Sequence, residues 1–253
     1  MPKTRQTQTE EGRSQNDHHT HHRTERLSPA AENYLLSLYM MWEEGFRSVT
    51  VAQLAESLKS LPESEGLGTT LPSVTGMVRR MEREGLLETG KQKDIHLTEK
   101  GFQGALDMVR RHRIAERMVT DLLGLELPRA HQEAHRLEHA ISPELLAKIE
   151  ERLGYPTTCP FGRPIPGSGY QPPEGEVVTL AQAVGGQWYV VDRVPEEDEA
   201  LVQFLVDHQM LPGHRLLVKE AAAYRGVLTV ECDGEEATMG YQVAGVIWVY
   251  PAP

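Results

Sequence analysis

The chain has 253 residues, a formal net charge of -11 and two cysteines. It is long enough for two or three small domains and too poor in cysteine for a disulfide framework. No apolar run approaches the ~18 residues that a membrane span needs, and the N-terminus lacks the apolar core of a signal peptide, so a cytoplasmic protein is expected. The acidity is local: residues 171–253 hold 13 acidic and four basic side chains, whereas residues 69–115 hold nine basic and six acidic ones. An acidic total therefore does not exclude nucleic acid as a partner of that basic window.

In chain order, residues 1–26 are polar, with almost no large apolar side chain, and are expected to be a disordered tail. They include His18-His19-Thr20-His21-His22, a tract able to bind metal adventitiously. Ser28-Pro29 is a helix N-cap followed by proline, and Leu35, Leu38, Tyr39 and Trp42 form the buried stripe of a first helix reaching about Glu44. Thr50-Val-Ala-Gln53 is a capping-box pattern for a second helix, which a Gly/Ser/Glu-rich stretch from Ser60 to Thr70 ends. Pro72 opens a third helix that stops at Gly85. Two short strands, 86–89 and 95–98, then flank a basic tip, Gly90-Lys91-Gln92-Lys93-Asp94.

Three helices followed by a basic hairpin describe a winged helix-turn-helix, here over residues 27–100. Helical stretches over 99–123, 128–140 and 142–153 make a second unit, residues 101–154, and the last of them has Ser142 as cap and Gly154 past its end. Six prolines and four glycines mark 155–175 as an extended linker. From 176 to 253 short apolar alternations (177–180, 188–191, 216–218, 227–230, 246–250) interrupted by one helix, about 197–209, predict a small antiparallel barrel. The class expected is mainly α with a small β domain.

The chemistry concentrates in the second unit. His131, His135, Glu138 and His139 fall within a helical sector of roughly 100°. His112 and Glu116 make a second imidazole/carboxylate pair four residues apart. Two such stripes suggest a metal centre, because buried imidazoles and carboxylates need a neutralising partner. His135-Arg-Leu-Glu138-His139 also spells the inverted zinc-peptidase motif, in which two histidines hold zinc and a glutamate activates water. No large catalytic domain follows it, so no enzyme is expected. A metal-independent winged-helix regulator is the other alternative.

On the third helix, the small exposed residues Ser73, Thr75 and Gly76 are positioned for a major groove, with Thr70, Pro72 and Ser73 at its phosphate-facing start. Arg79, Arg80, Lys91 and Lys93 are the candidate phosphate contacts.

The sequence resembles the diphtheria-toxin-repressor family of metal-dependent bacterial regulators, including its manganese-responsive members. The likeness covers nearly all of the chain from Leu27. It rests on Glu-Asn-Tyr-Leu in the first helix, Val-Arg-Arg-Met-Glu-Arg-Glu-Gly-Leu (78–86), Arg-His112-Arg-Ile-Ala-Glu116-Arg, Glu-Ala-His135-Arg-Leu-Glu138-His139, Cys-Pro-Phe-Gly-Arg-Pro-Ile-Pro-Gly (159–167) and Met-Leu-Pro-Gly (210–213). The resemblance implies a homodimeric repressor of metal-uptake genes that binds an operator in duplex DNA, with a C-terminal SH3-like (FeoA-like) domain. It implies one metal position at His112, Glu116 and His131, joined by Asp198 with Glu197 and Glu199 as rivals. A second would use His135, Glu138 and His139, completed by Asn33. Relatives carry Cys or Glu where His135 stands, Met or Asp at Asn33, Glu in some members at Leu36, and often Gln at Gly76. A donor set of imidazole, carboxylate and amide oxygen without sulfur favours Mn(II), then Fe(II), with Zn(II), Co(II) or Cd(II) as substitutes in vitro.

Overall fold

The computed structural model describes residues 27–62 and 65–252; the expected N-terminal tail and its histidine tract lie outside them. The first domain starts with α1 (Pro29–Glu43), whose Ser28 cap accepts from the Ala31 amide. Strand β1 (Val49–Thr50) leads into α2 (Val51–Ser57), where Thr50 and Gln53 form the full capping box. Helix α3 (Leu71–Arg83) begins one residue before Pro72, with Thr70 as its cap, because proline fits equally well at the second helical position.

The wing is β2 (Leu87–Thr89) and β3 (Asp94–Leu97), and β1 completes a three-stranded antiparallel sheet of order β1-β3-β2. Leu35, Leu54, Val74, Met81 and Met108 are among the buried side chains that hold the three helices and the wing together. Among the described residues, Pro72, Ser73, Gly76, Arg79, Arg80 and Arg83 of α3 are exposed.

Helix α4 (Glu99–Arg117) runs from the wing into the second domain and packs along α1. The expected helix to residue 123 does reach that far, but its end, Met118–Leu122, widens into a π-turn directly after Arg117. Helices α5 (Leu127–Glu138) and α6 (Pro143–Leu153) pack on α4.

The segment expected to be an extended linker is largely folded. Cys159 and Phe161 are wholly buried, Ile165 is nearly so, and Thr158 bridges Pro164. Its prolines shape a tight loop around two apolar side chains, an outcome that composition alone does not distinguish from a linker.

The third domain is a six-stranded antiparallel sheet, in order β4-β9-β5-β6-β7-β8. Its strands are β4 (Val178–Thr179), β5 (Trp188–Arg193), β6 (Arg215–Ala222), β7 (Val227–Cys232), β8 (Glu235–Gly240) and β9 (Trp248–Pro251). Register shifts between Val191 and Arg193 and between Val218 and Glu220 bend the sheet. Strand β8 went unpredicted: Glu235-Glu-Ala-Thr-Met-Gly buries only Ala237 and Met239, too few apolar positions to announce a strand. Helix α7 (Glu199–Asp207) lies between β5 and β6 in sequence and packs on α5, and a short α8 (Tyr241–Ala244) precedes β9.

Candidate metal centre and nucleic-acid interface

Helix α4 presents His112 and Glu116 one turn apart, and α5 lies across them with His131, His135 and Glu138 on its facing stripe. Four of these side chains are 0–1% exposed and His131 is 7% exposed. His112 Nε2 lies 3.0 Å from Glu116 Oε1 and 3.1 Å from His131 Nδ1, and His131 Nδ1 is also 3.0 Å from Glu116 Oε1. On its other side, His112 Nδ1 is 2.5 Å from Glu138 Oε2. The structure thus joins His112, Glu116 and His131, the grouping that the family resemblance implies.

His135 is placed differently from its expected second position. Its Nε2 faces His131 Nε2 at 3.2 Å, and His112, His131 and His135 form one imidazole cluster. The reason is helical phase, since 131 and 135 are one turn apart and share the face that meets α4.

Burial would depress the His112 imidazole, but the charges of Glu116 and Glu138 override that and raise its pKa. The same pairing outweighs burial and holds Glu116 and Glu138 below the usual carboxylate range. His135 goes the other way, pushed down to about 4 by burial, against the pull of Glu138. Two buried carboxylates thus stand among clustered imidazoles, a set of donors whose negative charge a divalent ion can neutralise. Glu116 Oε2, fully buried, has no hydrogen-bond partner among the described residues, and one ligand atom from each of Glu116, His131 and Glu196 lies within 4.8 Å of the other two. These residues fit a cation.

Of the third domain's acids, the structure places Glu196 rather than Asp198 beside Glu116 and His131. Asp198 is exposed and caps α7 by accepting from the Leu201 amide at 3.0 Å; Glu197 and Glu199 are exposed too, with Glu197 still within electrostatic reach of His131. Glu196 is 4% exposed and sits 3.2 Å from Arg163 Nε. The cap position engages Asp198 with the helix backbone, and the buried carboxylate is Glu196, two residues before it.

The second pocket lies where α1 meets the end of α5. His139 Nδ1 is 2.6 Å from Glu32 Oε2, and the other Glu32 oxygen accepts from Arg111 at 2.7 Å. A ring held this way by a carboxylate directs its other nitrogen into the site. Around His139 Nε2 lie Asn33 Oδ1 at 3.2 Å, Glu65 Oε2 at 3.3 Å and Glu138 Oε1 at 3.7 Å. Asn33, Glu138 and His139 therefore meet as expected. Leu36 is buried in the first domain's core. Glu138 serves both pockets, because its Oε1 also lies 3.1 Å from His135 Nδ1 while Oε2 meets His112.

Three residues of these pockets escaped sequence reasoning. Glu32 adjoins Asn33, and an acid next to a candidate ligand was the available signal. Glu65 lies in the stretch that breaks the helical pattern, where no periodicity marks it, and Glu196 belongs to an acidic run that reads as solvated.

On the DNA side, Thr70, Pro72, Ser73, Gly76, Arg79, Arg80, Lys91 and Lys93 are all exposed. Thr75 is half-buried and donates its hydroxyl to the Leu71 carbonyl at 2.7 Å. Arg80 pairs with Glu84 at 2.8 Å. A Cβ at Gly76 would meet nothing, so the fold itself does not demand glycine there. The wing tip closes through the Gly90 amide on the Asp94 carbonyl at 2.8 Å, which projects Lys91 and Lys93.

Comparison with known proteins agrees with this layout. The N-terminal DNA-binding domain of iron-dependent repressors matches residues 26–95, their metal-binding and dimerisation domain 98–167, and the FeoA domain 178–251. The chain is 34% identical over 235 residues to the iron-dependent repressor IdeR of Mycobacterium tuberculosis, covering 88% of this chain and 97% of that protein. It is 37% identical over 141 residues to the diphtheria toxin repressor of Corynebacterium diphtheriae, spanning 56% of this chain and 58% of that protein. A manganese-dependent transcriptional repressor solved with manganese superposes with a TM-score of 0.76 at 29% identity, covering 88% of this chain and 100% of that one. The manganese regulator SloR does so with a TM-score of 0.68 at 29% identity, covering 89% and 100%. None of the described helices is long and apolar enough to cross a membrane. A winged reading head, a buried imidazole–carboxylate centre and an SH3-like tail come together here in one order, and the chain belongs to the diphtheria-toxin-repressor family of metal-dependent transcriptional repressors.

Proposed function

We propose that this repressor responds to Mn(II), with Fe(II) as the alternative activator, and acts as a homodimer on an operator governing metal uptake. The observation that carries the reading is Glu138. One carboxylate faces both pockets, and the second pocket joins α1 of the reading head to α5 of the metal domain through Glu32, Asn33 and His139.

When bound, a divalent ion supplies the positive charge that these clustered carboxylates lack. His112, Glu116, His131, His135 and Glu196 would hold one ion; Asn33, Glu138 and His139 would hold the other. All these donors are nitrogen or oxygen, which supports a harder ion over a thiophilic one. Glu32 orients His139, and Arg111 restrains Glu32. With those contacts made, α1 and the reading head it carries keep one orientation relative to α4 and α5.

Leu122, Leu123 and Leu145 are large, exposed apolar side chains within the stretch that matches a dimerisation domain, which supports a second copy as the partner. Two reading heads place half-sites about one helical turn, ~34 Å, apart or at a multiple of it. Thr70, Ser73, Arg79, Arg80, Lys91 and Lys93 contact phosphate, Pro72 lies with them at the start of the helix, and Thr75 and Gly76 approach base edges.

The test is operator affinity with chelator and with Mn(II) or anaerobic Fe(II). Linkage makes metal and DNA tighten each other by the same factor, about 5–150-fold. Equal affinity with and without metal refutes the reading.

A further inference from the structure

Helix-turn-helix units join their two helices by a turn of about 3–4 residues. Here 13 residues separate Ser57 at the end of α2 from Leu71 at the start of α3. A connection that long inside a compact domain needs a reason beyond joining two helices. The structure offers one. Glu65 carries its carboxylate to the second pocket, where Oε2 accepts from Asn33 Nδ2 at 2.9 Å and lies 3.3 Å from His139 Nε2. Its side chain is only 10% exposed although it belongs to a connecting segment.

We propose that Glu65 is a metal ligand of the second pocket and that, through it, the ion grips the base of the DNA-reading helix directly. The inference rests on the metal-dependent reading above. A lone acid near a histidine would be a common surface pair, but this one is met by an amide from α1 that is wholly buried. The donors converge from three elements: Asn33 on α1, His139 and Glu138 from α5, and Glu65 from the α2–α3 connection. Glu32 already occupies His139 Nδ1, so Nε2, the nitrogen that Glu65 faces, is the one that would meet an ion. Glu65 adds a second carboxylate to a donor set whose other one, Glu138, the first pocket also uses.

The mechanical link onward is short. Leu67, two residues on, packs against the core of the reading head. Gly68 lies so close to α3 that a Cβ there would collide with the Ser73 hydroxyl. Thr70 then caps α3 itself. Fixing Glu65 therefore fixes the first turn of the helix that enters the groove. In this arrangement metal acts on the reading helix from its N-terminal end as well as through α1.

The experiment compares the full-length wild type with Glu65→Gln, Glu65→Asp and His139→Ala. Mn(II) uptake is followed by the electron paramagnetic resonance of free Mn(II), and amide hydrogen exchange is measured over residues 66–74 with and without Mn(II). Glu65→Gln should weaken one class of Mn(II) site by at least about tenfold, leave the other class unchanged, and abolish the Mn(II)-induced protection of residues 66–74. Glu65→Asp, which keeps the charge but withdraws the carboxylate by one methylene, should show the same losses to a smaller degree. If Glu65→Gln fails to fold, the Asp variant alone decides. Wild-type uptake and protection in the variants, together with a loss in His139→Ala, overturns the role of Glu65 and leaves the metal reading standing. No Mn(II) uptake by the wild type sinks both.

Discussion

Arg113 is the largest wholly buried side chain among the described residues, 1% exposed, and it joins the reading head to the metal domain. From α4 it donates to both oxygens of Glu43, the last residue of α1, and to the Pro164 carbonyl. Arg163, 3.9 Å from Glu43, is the other cation beside that carboxylate. Glu43→Gln keeps the shape and removes the charge, leaving the buried Arg113 guanidinium without its carboxylate, whereas Arg163 keeps Glu44 at 2.9 Å and Glu196 at 3.2 Å. Breaking a buried pair by deleting one partner costs about 3–5 kcal/mol, because the stranded charge is not resolvated. At about 2–4 °C per kcal/mol for a chain of this size, the melting temperature of the metal-free protein should fall by about 6–20 °C. Urea unfolding followed by circular dichroism gives the free energy directly if the m-value is unchanged. A loss under about 1 kcal/mol, the range of exposed ion pairs, would refute the claim that Arg113 is locked away from water. The double replacement Glu43→Met with Arg113→Met provides the internal control, since apolar substitution of both partners should recover most of the loss.

Glu138→Gln should weaken Mn(II) at both pockets, each by at least about tenfold, whereas His131→Ala weakens only the first; an unchanged class of site in Glu138→Gln counts against a shared carboxylate. Lys91→Ala combined with Lys93→Ala should reduce the slope of log affinity against log salt by about one for each phosphate no longer neutralised, without changing sequence preference; an unaltered slope removes the wing from the interface. Burial and then the charge of Glu116 raise the Cys159 thiol well above its ordinary value, and burial with Asp233 pushes Cys232 to about 11. Thiolate is scarce below those values, so both cysteines should resist alkylation at about pH 8 in the folded protein and react once it is denatured. Rapid labelling of the native protein would contradict their burial.

The helices were legible wherever caps and periodicity coincided. Ser28-Pro29, the Thr50/Gln53 box and Ser142-Pro143 sit at three helix starts. The wing followed from two short apolar runs around a Gly-led basic tip. Strand β8 was hidden because its outer face is acidic, and the loop around Phe161 because prolines build compact turns as readily as extended ones. Within the site, residues on one helix could be grouped by phase, which located His112, Glu116, His131, Glu138 and His139. Phase did not say which neighbour each one faces. His135 turned toward the first cluster, and Asp198 was taken up by capping, because those outcomes depend on how α4, α5 and α7 cross. Glu65 and Glu196 come from connections between elements, where no periodic signal exists.

The buried apolar cluster of the SH3-like domain does not stop at the domain's edge. Val119, Ala130, Cys159 and Phe161, from the helical part of the chain, belong to the same cluster as Val202, Leu205 and Leu216. A version cut near residue 175 would lay that seam open to water and would also lose Glu196 beside Glu116 and His131. The tail is thus no detachable accessory. Exchanging it for another protein's tail would retune the ion's seat and the solubility of the remainder in a single stroke.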